Sequence, residues 1–402
     1  MSSGLARVAH LLSALLLGVA TAGTAHADPV APAAWLWTSM GTPGEVEAVE
    51  RIGAVSIVDA STSTEVPYVF VRGSDGNLWG NWPDGNSWIW SNLGAPAGGI
   101  VGGVGVAGIK NSTTGPDRPY AYVLGADGNM WVHELTGNTS TWTNRRRPGV
   151  GIAAGLGVVE IKDTPSSSER SYAFVLGQDG NVWVHEWIGN GWTWTNQGRP
   201  EQGAAGRTIL GAAGTTRVRD SATYAERPHA FVRVDDGNLW LIKRTRSGWT
   251  WTDLGRPAGG IAGPVDAITL RGATAAADRP QVFVRGGDGD LWLTQWTGSA
   301  WTWTDQGRPA GGRVVDRVGA VSVQDSPSTP QRPYAFVRGE DGEMWVNEWT
   351  GSAWTWTNQG MVPEGGVEGI GVTTAKDSPS ASQRPHAFIR TSVGGLALCW
   401  WG

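Results

Sequence analysis

From Arg332 the chain reads RPYAFVRGEDGEMWVNEWTGSAWTWTNQG. Tyr334, Phe336 and Arg338 alternate with Ala335 and Val337, the period-two pattern of a strand with two unlike faces. Asp341-Gly342 follows, and a glycine that takes positive φ there closes a tight hairpin. Alternation resumes from Met344 to Trp349. Gly351 and Ser352 then turn the chain into a tryptophan-rich strand over 354–358. A run of small apolar residues precedes units of this kind, as at 54–58, 158–162 and 320–323. The segments between that run and the next strand, such as 325–330 and 377–383, are rich in Ser, Thr, Pro and Asp and suit turns. The pattern predicts four strands per unit and almost no helix.

The unit recurs at Arg279, Arg227, Arg170, Arg118 and near Pro67. Its turn aspartates are Asp75, Asp127, Asp179, Asp236, Asp288 and Asp341, at spacings of 52, 52, 57, 52 and 53 residues. A seventh copy, RPHAFIRTSVGGLALCWWG, stops at Gly402 before its last strand. The missing strand matches AWLWTSMGTPG at Ala34. A linear solenoid needs caps at its ends, not one repeat shared between them. A ring closes by pairing the N-terminal strand with the C-terminal ones, which removes exposed edges. The fold class is therefore all-β: a seven-bladed β-propeller of four-stranded antiparallel blades, closed by the N-terminal strand. The longer spacing in the fourth repeat points to extra residues between Arg207 and Glu226, read as a tolerated loop insertion.

Residues 1–27 carry a basic start (Arg7), an apolar run over 11–19 and the small-x-small triplet Ala25-His26-Ala27. That is the pattern of a secretory signal peptide, too short in its apolar part to span a membrane. The expectation is an extracellular protein whose residues 28–402 form one propeller domain, about 54 residues per blade if all 375 are used. Without Arg7 the net charge is −6, from 30 basic and 36 acidic residues. No basic stripe is present to meet phosphates, so nucleic acid is not an expected partner. Cys399 is the only cysteine, which leaves packing and ring closure to hold the fold.

The 25 tryptophans fall almost entirely into four columns of the repeat. The first holds Trp79, Trp131, Trp183, Trp240, Trp292 and Trp345. The second holds Trp82, Trp187, Trp296, Trp349 and Trp401, with Leu135 and Arg244 in other blades. The third holds Trp35, Trp88, Trp192, Trp249, Trp301 and Trp354, with Ser140 in the second blade. The fourth is complete: Trp37, Trp90, Trp142, Trp194, Trp251, Trp303 and Trp356. A complete column suits a packing layer between blades. The third column follows a Gly/Ser turn and tolerates a serine, which places it at the blade margin, where an indole can stack on the C–H face of a sugar. A sugar site also needs polar groups to fix hydroxyls. Glu134, Glu186, Gln295 and Glu348, just before the second column, are the candidates; Lys243 and Trp400 replace them elsewhere. Arg72, Arg233, Arg285, Arg338 and Arg390 end the second strand and are expected in part to pair with nearby acids.

The Asp-Gly turns resemble the start of a calcium loop, but a hairpin accounts for both residues and no loop gathers the oxygens calcium requires. No H-E-x-x-H, G-x-S-x-G or metal-spaced Cys/His cluster occurs. His133 and His185 sit at equivalent places in V-H-E, and the Arg145 to Arg147 run reads as a solvated loop. No metal, cofactor or catalytic residue is expected.

The repeat F-V-R-G-x-D-G-x-L-W-x-x-x-W-x-G-x-x-W-x-W resembles bacterial seven-bladed propeller lectins typified by the Photorhabdus fucose-binding lectins, and more distantly fungal propeller lectins. The likeness covers Ala34 to Gly402. It implies several monosaccharide sites between adjacent blades, for fucose or a related, methylated sugar, with glycans as partners and oligomerisation left open. The second and seventh blades depart from the pattern at Leu135, Ser140, Val393 and Ala397. Two alternatives stand beside a lectin. A glycosidase or lyase needs two carboxylates facing one pocket about 5–10 Å apart. A protein-docking propeller needs large exposed aromatic patches.

Overall fold

The computed structural model describes residues 34–401 except 60, 86, 111–115, 138, 165, 201–205, 212, 221–222, 224, 273, 327 and 363–364, and not the side chains of 51, 52, 104 and 275. The expected leader, 1–27, lies outside the described residues. Seven four-stranded antiparallel sheets follow one another as blades. Blades 1 to 6 span 48–92, 100–144, 152–196, 214–253, 266–305 and 314–360. Blade 7 combines 367–401 with the strand Trp35–Gly41, which pairs with Leu396–Trp401 in the register Trp37↔Cys399. The innermost strands touch in a closed cycle, the strand of blade 7 meeting that of blade 1. The only helical element among the described residues is a 3-10 turn at Ala275–Ala277.

The two faces predicted for the second strand go to different neighbours. In the 3/4 interface, Tyr172, Phe174 and Val184 of blade 3 meet Ala230, Val232 and Ile242 of blade 4. Phe174, Phe231, Phe283, Phe336 and Phe388 are fully buried and repeat this contact around the ring. Each lies opposite a small residue of the innermost strand, as in Gly157↔Phe174 and Gly214↔Phe231. A Cβ on Gly53 would come within 2.5 Å of Val106, and one on Gly214 within 2.9 Å of the Ala267 backbone. Neighbouring innermost strands approach too closely at these positions for a larger side chain, which is why these strands read as small-residue runs. Asp266 is the exception, opposite Phe283 in blade 5.

The fourth tryptophan column forms a girdle. Every member donates its indole N–H to a backbone carbonyl of the preceding blade at 2.7–3.0 Å. Trp37 reaches Gln359 and Trp90 reaches Met40, so the split blade is tied on both sides. Five first-column indoles, those of Trp79, Trp131, Trp183, Trp292 and Trp345, are locked onto the turn aspartate of their own blade, whereas the Trp240 Nε1 has no hydrogen-bond partner. Asp288 accepts from the Asp290 amide at 3.1 Å and from Trp292 Nε1 at 3.2 Å, while Gly289 sits at φ 88°. The Asp-Gly pairs are thus hairpin turns, and among the described residues no cluster of three His, Cys, Asp or Glu is placed to hold a metal.

Two sequence assignments change. Trp82 does not share the face of Trp187 and Trp296. It occupies the row of Glu134 and Glu186, stacked on Tyr68 at 5.6 Å, and Pro83 is the residue opposite Trp88. The extra residues of the fourth repeat precede the blade. Gly214 lies 18 residues after Asn196, whereas its counterpart Gly157 lies 13 after Asn144, and the loop from 214 to 226 keeps the length of 157 to 169. The insertion lengthens the link between blades 3 and 4.

Candidate functional site

Each blade turns its third- and fourth-column residues toward the preceding blade and the row of Glu134, which holds Trp82 in blade 1 and Trp400 in blade 7, toward the following one. Every inter-blade cleft therefore joins unlike walls. One wall carries the third-column tryptophan. The other carries an Arg-x-Tyr/His/Gln sequence on the second strand and the Glu134-type row on the third. Trp35, Trp88, Trp249, Trp301 and Trp354 pack nearly perpendicular to Phe336, Phe388, Phe174, Phe231 and Phe283 of the preceding blade, with centroids 5.5–6.0 Å apart. All five rings are half-buried, so part of each remains open. Trp192 differs: it stacks on His185 of its own blade at 5.0 Å, with the Arg145 guanidinium 5.2 Å away on the ring. The facing blade has Tyr122 in place of the phenylalanine.

The polar row grades from cleft to cleft. Glu134, in the 2/3 cleft, accepts from Arg118 at 2.7 Å. Burial alone would raise its carboxyl, but the hydrogen bonds of Arg118, Tyr120 and Thr136 and the Arg118 charge together outweigh it and hold it below the ordinary value. Glu186, in the 3/4 cleft, is only 2% exposed. Arg244 of blade 4 pairs with it and donates to Tyr172 at 2.7 Å, while Trp249 Nε1 approaches at 3.4 Å. Arg244 stands where the second column elsewhere has tryptophan, and it seals that cleft from within. Gln295, in the 5/6 cleft, accepts from Gln281 at 3.0 Å, and the blade-6 wall of that cleft carries Trp354 and Trp349, centroids 5.7 Å apart. Glu348, in the 6/7 cleft, pairs across strands with Tyr334 and faces Trp35. In the 1/2 cleft Trp82 and Leu135 fill the space, and the Ser140 hydroxyl is engaged by His133 at 2.5 Å. The structure thus brings Glu186 to Trp249 and, by blade order, puts Gln295 and Trp354, and Glu348 and Trp35, on facing walls of one cleft, while Trp88 packs with Phe388 and Trp400 in the 7/1 cleft.

The second-strand residues Arg118, Tyr120, Tyr172, His229, Gln281 and Tyr334 belong to these walls too, and the sequence reading did not single them out. The available signal was parity: they lie two and zero residues from a register partner of the Glu134 row.

A second cavity, of about 230 Å³, runs along the axis and is lined by innermost strands of all seven blades. Glu50 and Asp266 face it. Glu50 pairs with Arg72, and Asp266 accepts from the Ala320 and Ala267 amides at 2.8 and 3.0 Å. Both carboxylates thus have partners within the protein. No helix among the described residues is long and apolar enough to cross a membrane.

No model of a known family and no curated protein matches this chain. Solved structures do. A lectin from Burkholderia pseudomallei is 16% identical, with a TM-score of 0.62 over 88% of this chain and 96% of its own. The fucose-specific lectin of Aleuria aurantia is 15% identical, with a TM-score of 0.53 over 79% and 97%. The chain has the fold of the propeller lectins. The fungal fold is six-bladed, so the count of blades differs while the blade is shared.

Proposed function

We propose that the protein is a secreted carbohydrate-binding lectin with several inter-blade sites and no catalytic activity. The observation that supports this most directly is the pairing, within one cleft, of a half-buried tryptophan from one blade with polar side chains of the blade before it: Trp354 with Gln281 and Gln295, and Trp35 with Tyr334 and Glu348. An aromatic platform takes the apolar face of a sugar, and amide or carboxylate groups fix its hydroxyls. The fucose specificity of the Aleuria aurantia lectin suggests fucose or a related, methylated sugar as the first ligand to try. A single site of about millimolar affinity supplies only roughly −4 kcal/mol. Several sites engaging one glycan-bearing surface raise avidity by about 10²–10⁴-fold. A repeated cleft suits that use and does not suit one catalytic event.

The test is a glycan-array screen of the chain from Asp28, repeated with Trp354→Ala and Glu348→Gln after their folding is checked by circular dichroism. Weaker binding in the folded variants supports the reading. Absence of binding to any glycan by the folded wild type overturns it. Mass spectrometry of the exported protein tests secretion, with Asp28 as the expected first residue.

A further inference from the structure

The 4/5 cleft is unlike the others in charge. It encloses about 700 Å³, within the ~300–1,000 Å³ of small-ligand sites. Trp301 and Trp296 of blade 5 form an angled corner, centroids 6.0 Å apart and planes at 54°. On the opposite wall the row that elsewhere holds Glu134, Glu186, Gln295 and Glu348 holds Lys243. Lys243 is the cross-strand partner of His229. Arg227 lies two residues before His229, on the same face of its strand.

The cations here are not all matched. Arg219 is held by Asp278, and Arg246 by Asp220 at 2.9 Å. Asp220 reaches the Arg227 Nε only at 4.0 Å, and that buried Nε has no hydrogen-bond partner. Arg244 is committed to Glu186 in the neighbouring cleft. Among the described residues, Lys243 has no hydrogen bond or ion pair. His229 adds no charge, because burial pushes its imidazole down to about 4. Its Nδ1 lies 3.1 Å from the Arg227 carbonyl, to which it donates. The neutral ring keeps Nε2 as an acceptor for a hydroxyl. Two cations with unmet capacity, a neutral acceptor and an aromatic corner together line one cavity.

We propose that the 4/5 cleft binds an anionic sugar unit, a hexuronate or a sulfated hexose, with its negative group on Lys243 and Arg227 and its ring against Trp301. This rests on the lectin reading and adds a ligand class to it: the acidic and amide clefts take neutral sugars, and this one takes a charged one. Charge-assisted hydrogen bonds are the strong ones, so the anion dominates selectivity here.

The test is titration calorimetry of the chain from Asp28 with methyl glucuronide, a methyl galactoside 6-sulfate, their uncharged parents and methyl fucoside, using the wild type, Lys243→Gln and Trp301→Ala. The wild type is expected to prefer at least one anionic sugar over its uncharged parent, and the comparison of uronate with sulfate identifies the anion. Lys243→Gln is expected to weaken that ligand about 10- to 100-fold while leaving methyl fucoside unchanged. Lys243 is on the cleft surface, so its variant remains informative even if Trp301→Ala fails to fold. Equal affinity for charged and uncharged sugars, or an unchanged affinity in Lys243→Gln, overturns the proposal. Fucoside binding without any anionic binding overturns it and leaves the lectin reading intact. No binding of either kind overturns both.

Discussion

The Glu226 carboxylate accepts a hydrogen bond from the backbone amide of Lys162, 2.9 Å away and one blade earlier. It also takes a hydrogen bond from Arg271, one blade later, at 2.6 Å. Glu226 thus straps blade 4 to the end of the preceding innermost strand, and the equivalent residue does the same in four other blades. Glu169 holds Lys110, Asp278 holds Arg219, Gln331 holds Arg271 and Gln383 holds Gln324, at 2.6–3.0 Å. Removing this buried acceptor leaves Arg271 and the Lys162 amide without their partner, while Arg217 keeps Glu160 at 2.8 Å, so Glu226→Ala is expected to lower unfolding free energy by about 3–5 kcal/mol. Glu226→Gln is expected to cost less, since Gln331 and Gln383 already do the same work. Urea unfolding of the two variants measures the difference.

Arg244 and Glu186 are coupled across the 3/4 cleft. Arg244→Ala strands a carboxylate that is 2% exposed, and a loss of about 3–5 kcal/mol is expected. Adding Glu186→Gln removes the stranded charge and recovers part of that loss. A double-mutant cycle by urea unfolding checks this, and a coupling near zero contradicts the ion-pair seal.

The indole girdle predicts a directional effect. Trp303 donates to the Leu254 carbonyl at 2.8 Å. Trp303→Phe keeps a ring but leaves that acceptor unsatisfied, which costs about 1–3 kcal/mol. Trp301→Phe, with no such bond at stake, is expected to change stability less. Thermal unfolding of both variants compares them.

Acid should weaken the fold before the carboxylates titrate. Burial holds His133, His229 and His386 down to about 4, and His185 to about 3. The unfolded chain binds these protons near pH 6.5, and the folded one does not until about pH 4 or below. Between those values the unfolded state carries more protons, so stability falls as pH falls, by ~1.4 kcal/mol per pH unit for each histidine. Above pH 6.5 the term is flat. Urea midpoints at pH 7.5, 6.5, 5.5 and 4.5 trace the window. Glu226 adds a later loss: its carboxyl lies below the ordinary value, since Arg217 and Arg271 outweigh burial, so its contribution disappears only at lower pH.

Cys399 is fully buried and burial pushes its thiol up to about 12. At pH 8 the native protein is expected not to react with a thiol-specific disulfide reagent, and the urea-unfolded chain to react with one equivalent. Reaction at equal rates in both states contradicts the packing of blade 7.

The repeat period, the turn aspartates and the blade divided between the chain ends were enough to define seven blades, their strand order and their closure, because each depends only on local alternation and counting. Parity along the strands was legible as well, and a stricter count would have put Trp82 in the Glu134 row. The site was less legible. The third tryptophan column and the polar row could be named, but not which tryptophan meets which polar residue, since the cleft joins positions about one repeat apart. That Glu186 is sealed by Arg244, that Trp192 turns back onto His185, and that Lys243 stands without an acid partner while Arg227 has one only at 4.0 Å were decided only in three dimensions. Strand pairing is local and carried by backbone period. Cleft chemistry comes from two blades docking face to face, where a single substitution on one wall changes what its neighbour has left to bind.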